Sequence, residues 1–287
     1  VSRTPFVLKL YLGMIAFSCL GTLLSSLTGL DPGPIRPVAS ILTLVLGNLA
    51  VYEVGKQVFH PKPLAWGLAA LMLIGAGFEI LGLHTGFPFG NYEYTGNWVP
   101  SVLLWSGKTF PILLPFAWAM IVGSAVVYAR SFCRGWMALV VGAALATLVD
   151  LVMEPVMVGP LGYWKWIGEP TFFEAPWINS FGWMLTGLLG GAALHFGLKP
   201  QESGDRTVPM RDAAWVFIGH LVLMCVISVG AALDGANLHP SFPVLVLVTI
   251  TLACAVMVQK FRSGGAVARA GSPSRFADDA SDEGVDQ

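Results

Sequence analysis

Three acidic side chains stand where acids are costly. Glu79 lies inside an apolar run, and Asp150 and Glu154 lie four residues apart near the end of another. An ionisable group in a membrane-length segment is expensive unless it faces a partner, a cavity or a pathway, so such residues point to function by default. The spacing of four puts Asp150 and Glu154 on one helix face, one turn apart. Glu79 is 15 residues beyond Leu64, where its helix is expected to begin, and Asp150 is 15 beyond Gly135. At about 1.5 Å per residue both then lie about 22 Å from the same end of the bundle. A carboxylic acid kept protonated at neutral pH is what a general acid requires, and burial in apolar surroundings favours that form. The structural alternative is that each acid only bonds helix to helix, or that Glu154 is a surface group before Pro155. Matched depth beside aromatic segments favours chemistry.

Glu79 opens the most unusual stretch of the chain, Phe78–Pro100, where an apolar helix breaks into a Gly- and aromatic-rich segment with a further acid, Glu93. This connection, about 84–109, holds Phe87, Phe89, Tyr92, Tyr94, Trp98 and Trp105; a second, about 154–176, holds Tyr163, Trp164, Trp166, Phe172 and Phe173. The two share a partial repeat. Phe89-Gly90-Asn91-Tyr92-Glu93-Tyr94 resembles Leu161-Gly162-Tyr163-Trp164-Lys165-Trp166, and each connection leads to Pro-x6-Trp, Pro111 to Trp118 and Pro176 to Trp183. Two helix–loop–helix units facing one cavity are expected, as internal repeats in membrane proteins often do.

Interfacial belts account for most of the tryptophans. Trp118 and Trp183 differ in lying within helices, where an aromatic face beside an acid stabilises a carbocation as it does other cations. Asn91 and Asn179, at helix mouths, could hold water or a carboxylate or simply cap helices. His84 and His239 are placed to shuttle protons, whereas His195 falls at the opposite end. Gly187-x-x-x-Gly191 predicts close helix packing.

The elements that position these groups follow from composition. Hydrophobic residues make up 55% and charged residues 11%, with a mean hydropathy of +0.70, against about a quarter charged in soluble domains. The chain is therefore expected to be an all-α polytopic membrane bundle. Apolar runs near 7–27, 37–58, 64–83, 110–128, 135–153, 177–196, 213–233 and 242–261 are each long enough to span about 30 Å of hydrocarbon. This count puts 13 basic residues on the side of the termini and three, Arg36, Lys108 and Lys165, on the other, which predicts both termini in the cytoplasm and an inner (plasma) membrane location. No cleavage site stands out after the first run, so its removal as a signal peptide is not expected. Residues 1–262 form one domain, and 263–287, poor in large apolar residues, read as a disordered tail.

Cys19, Cys133, Cys225 and Cys254 are scattered and read as small core hydrophobes. No HExxH, P-loop, GxGxxG, GxSxG or CxxC is present, no metal or cofactor is expected, and nucleic acid is an unlikely partner on this composition. Asp150-x-x-x-Glu154 faintly resembles the acidic motifs of membrane prenyltransferases, but a single such motif pointing outward does not fit them.

From Glu79 to Tyr94 the sequence resembles the bacterial and archaeal carotenoid hydratases, a family that includes bisanhydrobacterioruberin hydratase and the 1',2'-hydratases of γ-carotene and lycopene. The likeness continues at Val99-Pro100, Pro115-Phe-Ala-Trp118, Asp150-Leu-Val-Met-Glu-Pro155, Gly162-Tyr-Trp-Lys-Trp166 and Asn179-Ser-Phe-Gly-Trp183. It covers roughly residues 70–200. The chain departs from the family pattern at Glu154, where a second aspartate is usual, and at Ala175-Pro176-Trp177, where the family has Val-Pro-Leu.

The resemblance implies addition of water to an acyclic ψ end group of a carotenoid taken from the bilayer, by protonation at C2 and water capture at C1, without redox cofactor or metal. For that chemistry the shared depth of the acids makes Asp150 or Glu79 the expected proton donor and the other the water-orienting carboxylate, with Glu154, Tyr92 and Glu93 in support. Phe89, Asn91, Tyr94, Trp118, Trp164, Asn179 and Trp183 would hold the substrate, and other enzymes of the carotenoid pathway are the protein partners the resemblance suggests. A carotenoid cyclase begins with the same protonation, and a transporter or carotenoid-binding protein could use paired acids as a proton relay.

Overall fold

Proline and glycine punctuate the long apolar runs, and the helices start and stop where they stand. The computed structural model describes residues 4–169, 173–198 and 207–270. The helices are α1 (Phe6–Thr28), α2 (Ile35–Gly55), α3 (Pro61–Thr85), α4 (Leu114–Ala129), α5 (Trp136–Val158), α6 (Trp177–Gly197), the short α7 (Thr207–Asp212), α8 (Ala214–Leu233) and α9 (Phe242–Ala270). Proline opens α3, where its missing N–H would be unpaired in any case. The same helix ends at Gly86, whose φ of 76° only glycine adopts without strain, with the Gly86 N–H returned to the Gly82 carbonyl at 2.8 Å.

Apart from α7 these are eight long helices, at the eight expected places. Among the described residues six runs are long and apolar enough to cross a membrane, α1, α2, α3, α5, Met210–Leu233 and Phe242–Lys260; α6, expected to span, is not one of them. The 16-residue α4 is apolar but shorter. It is also buried on nearly every side, from Trp118 to Ala129 without a break, and packs against α2, α3, α5, α6 and α8. A helix apolar all round belongs in the interior, and α4 is the post around which the others stand.

On the outside, Trp66, Leu73, Phe196 and Leu247 are exposed large apolar side chains, as a lipid-facing surface requires. Gly187 and Gly191 of α6 lie against α5, where an added Cβ would meet Ala143 at 3.4 Å and Leu139 at 2.9 Å, the close approach their spacing predicts. The four cysteines are free; three are half-buried and Cys254 is exposed rather than in the core. The last helix continues to Ala270, past the expected start of a tail at 263, and 271–287 lie outside the described residues.

Two small antiparallel pairings are added to the all-α plan. Strand β1 (Tyr92–Tyr94) pairs with β4 (Trp164–Trp166), and β2 (Ser101–Leu103) with β3 (Thr109–Pro111). In the first, Tyr92 faces Trp166, Glu93 faces Lys165 and Tyr94 faces Trp164. The segments that resemble each other in sequence are thus the ones that bind each other. They join the loop after α3 to the loop after α5 and roof one end of the bundle.

Candidate active site

Side chains alternate across a strand, and this decides which residues of β1 and β4 enter the site. Tyr92 and Tyr94 turn inward and are buried, as Trp164 and Trp166 turn toward Glu154. Glu93 and Lys165 turn outward and form an exposed ion pair at 2.6 Å. Beneath this roof is a cavity of about 440 Å³ lined by Glu79, Asp150, Glu154 and the inward aromatic rings.

Glu79, on the last turns of α3, is 6% exposed and takes three hydrogen bonds. Tyr92 Oη donates to Oε2 at 2.5 Å, Tyr94 Oη to the same oxygen at 3.0 Å, and Trp118 Nε1 to Oε1 at 3.0 Å. Glu154 is 1% exposed. Its Oε1 receives Trp166 Nε1 at 2.6 Å and Trp164 Nε1 at 2.8 Å. The surface placement of Glu154 does not hold, because α5 runs through Pro155 to Val158 and the β4 indoles fold back over it. Asp150, one turn deeper, has a single partner among the described residues: Asn179 Nδ2 of α6 donates to Oδ2 at 3.0 Å. The Trp118 and Trp183 rings stack with centroids 4.0 Å apart at 25°, forming a flat aromatic wall between α4 and α6.

The two repeat units therefore share one design, in which a helix-borne glutamate is held by two inward side chains of the strand that follows. They differ one turn deeper. The residue four before Glu154 is Asp150, while the residue four before Glu79 is Gly75. An added Cβ on Gly75 would stand 2.8 Å from Trp118 Cβ, so the indole occupies the space that a second aspartate would need. Among the described residues that line the cavity, Asp150 is the one acid set a turn below the two roof-held glutamates.

Burial, and next the neighbouring Glu79 carboxyl, hold the Tyr92 and Tyr94 phenols well above the usual tyrosine range. Both are hydrogen-bond donors at neutral pH.

Of the residues expected here, Glu79, Asp150, Glu154 and Tyr92 line the cavity, as do Phe89, Tyr94, Trp118, Trp164, Asn179 and Trp183. Two expected residues do not. Glu93 is on the outer strand face, and Asn91, of the same parity, is exposed, with its backbone carbonyl accepting the Ile167 N–H at 2.8 Å. His84 is exposed, bonds to Ser106 at 2.8 Å and stacks on Trp105, and His239 bonds to Glu174 at 2.9 Å. Neither lines this cavity.

The cavity also extends between α1, α2 and α8, past Phe17, Leu44, Leu223, Met224 and Ile227, to Arg36 and Asp234. His220 of α8, buried at 9% exposure, belongs to this wall and was not expected from acid and aromatic spacing. Its signal was an ionisable residue within an apolar run, the same that marks Glu79.

Bisanhydrobacterioruberin hydratase of Haloarcula japonica is 31% identical over 193 residues, which cover 64% of this chain and 63% of that relative. The alignment thus spans less than two thirds of the relative's own length. No solved structure matches. The family described as carotenoid biosynthesis protein matches residues 38–259, a stretch that carries every carboxylate and ring of the cavity named above except Phe17. The chain belongs to the carotenoid biosynthesis protein family.

Proposed function

We propose that this protein is a carotenoid 1,2-hydratase, a hydro-lyase that adds water across the C1=C2 bond of an acyclic ψ end group. The observation that carries the reading is the deep acid, Asp150, in an aromatic cavity formed by membrane-length helices. Family membership and the likeness to a hydratase supply the substrate class.

Asp150 is the proton donor. Glu79 and Glu154 are each held by two or three N–H and O–H donors, and an indole N–H can donate but never accept. That arrangement suits acceptors fixed in place. Asp150 has only Asn179, which leaves its other oxygen without a protein hydrogen bond among the described residues. Its proton goes to C2 with the π pair of C1=C2, and the tertiary cation at C1 forms against the Trp118–Trp183 wall. Aromatic faces and fixed carboxylates stabilise positive charge as it develops, at no reorganisation cost in the transition state. Water then closes on C1 to give the 1-hydroxy product.

The extension between α1, α2 and α8, along Phe17, Leu44, Leu223, Met224 and Ile227, receives the polyene from the bilayer. Eight crossings with both termini in the cytoplasm put the β1–β4 roof on the outer side of a plasma membrane, consistent with 13 basic residues on one side against three on the other.

Expression in a bacterium that accumulates lycopene tests the reading. The expected result is a new pigment heavier by one water per hydrated end. A new pigment of unchanged mass would make the protein a cyclase, and unaltered lycopene beside well-expressed protein would remove the enzymatic reading.

A further inference from the structure

Hydration needs a group that fixes the water and takes its proton; Asp150 is committed to protonating C2, and Glu79 and Glu154 are each already held by two or three donors. Resting on the hydratase reading, we propose that His220 is a further catalytic residue, binding the nucleophilic water through Nδ1 together with the Thr43 hydroxyl.

Depth in the bundle follows from which residues touch. Gly142 of α5 lies against Val126 of α4, where an added Cβ would be 2.8 Å from the valine Cα. Trp118 and Asp150 are each eight residues from that contact in the direction of the roof, about 12 Å, and so share a level. Met120, two residues from Trp118, meets Gly47 of α2, where an added Cβ would be 3.0 Å from Met120 Cγ. Gly47 and Gly219 both press on the Tyr11 ring, at 3.2 Å for either added Cβ. His220 follows Gly219 and therefore stands within about one helical turn, roughly 5 Å, of the level of Asp150. Thr43 is one turn from Gly47 in the direction of the roof.

His220 Nδ1 and Thr43 Oγ1 are both buried polar atoms without a hydrogen-bond partner among the described residues, and both residues line the cavity. Their residues are 9% and 3% exposed. Orphan polar atoms buried in a protein are rare and mark a place for water or ligand, and a buried water typically joins two to four such groups. These come from α8 and α2, a different wall from the acids of α3 and α5. Ser18 Oγ of α1, also lining the cavity and unpartnered, continues the polar track.

The step balances without another reactant. Asp150 gives its proton to C2, and a water lone pair forms the C1–O bond as the cation is quenched. One water O–H breaks, and its proton passes to His220 Nδ1 of the neutral imidazole. The imidazolium returns that proton to the Asp150 carboxylate through cavity water, so one turnover consumes one water.

The test is conversion of lycopene in D2O by membranes containing the full chain or its variants. The wild type forms hydrated product with deuterium at C2. In His220→Phe, protonation by Asp150 persists but capture fails; the cation loses a C2 hydrogen, so hydrated product falls by about 10²-fold while recovered lycopene carries deuterium. His220→Asn, whose amide oxygen still bonds water but cannot take its proton, gives the same pattern and covers the case in which the larger change disturbs folding. Asp150→Asn gives neither product nor label. Hydration at the wild-type rate in the His220 variants overturns the proposal, as does loss of label together with product. Wild-type membranes that form neither refute the hydratase reading itself.

Discussion

Replacing Asp150 by Asn separates chemistry from structure more cleanly than any other change in this cavity. The substitution keeps the shape and keeps an oxygen for Asn179 Nδ2, which is 3.0 Å from Oδ2. Both residues are almost fully buried, at 3% and 4% exposure, and their one bond survives, so the stability change should be within about 1 kcal/mol. What disappears is the transferable proton. A general acid contributes about 10²–10⁴ in rate, or about 2.7–5.4 kcal/mol of barrier. Hydrated pigment per unit of protein, measured by chromatography with mass detection, should fall by at least about 10² while protein level and thermal stability in detergent are unchanged. Glu79→Gln is the contrasting case. Its amide must turn oxygen toward Trp118 and NH2 toward the two phenols, or leave the indole N–H facing another donor. It should therefore lose stability by roughly 1–3 kcal/mol as well as activity. An Asp150→Asn variant retaining more than about a tenth of the wild-type rate would refute the assignment, since a residual of that size lies outside what loss of a general acid allows.

Gly75→Ala should move Trp118, because the new Cβ would stand 2.8 Å from Trp118 Cβ; overpacking of this kind costs about 1–3 kcal/mol, seen as a lower unfolding temperature and weaker hydration. Glu93→Gln should leave hydration unchanged and stability within about 1 kcal/mol, as its partner is the exposed Lys165. Stability should fall as pH rises above about 10: the Tyr92 and Tyr94 phenols titrate higher when folded than when unfolded, so above the unfolded value the native state holds more protons. Two such groups give a slope near 3 kcal/mol per pH unit, measurable by thermal unfolding between pH 9 and pH 11, roughly the window around a free tyrosine. Phenolate absorbance from these two residues should appear only with unfolding.

The helices were legible because apolar runs, Pro starts and Gly stops are local signals, and the expected run at 64–83 became Pro61–Thr85. That Glu79, Asp150 and Glu154 face one cavity was legible because helical rise converts residue number into depth, but the shared depth expected for Glu79 and Asp150 does not hold. Helix α3 begins at Pro61 and α5 at Trp136, and Trp118, level with Asp150, lies against Gly75, so Glu79 stands one turn nearer the roof. Pairing of β1 with β4 was not legible, since three-residue strands 72 positions apart carry little periodicity, although the repeat between them was visible. Without that pairing the alternation that sends Tyr92 inward and Glu93 outward could not be read, and Glu93 stood as a candidate it is not. Composition marks α8 as apolar but does not say which of its faces meets the cavity, so His220 emerges only from the packing of α8 on α1 and α4.

The most direct test of the central claim is the origin of the product's oxygen. Purified protein supplied with lycopene in oxygen-18 water should give a 1-hydroxy carotenoid with one heavy oxygen for each end group converted. A cyclised product without oxygen, or a hydroxyl whose oxygen is not drawn from water, would contradict hydration at this site.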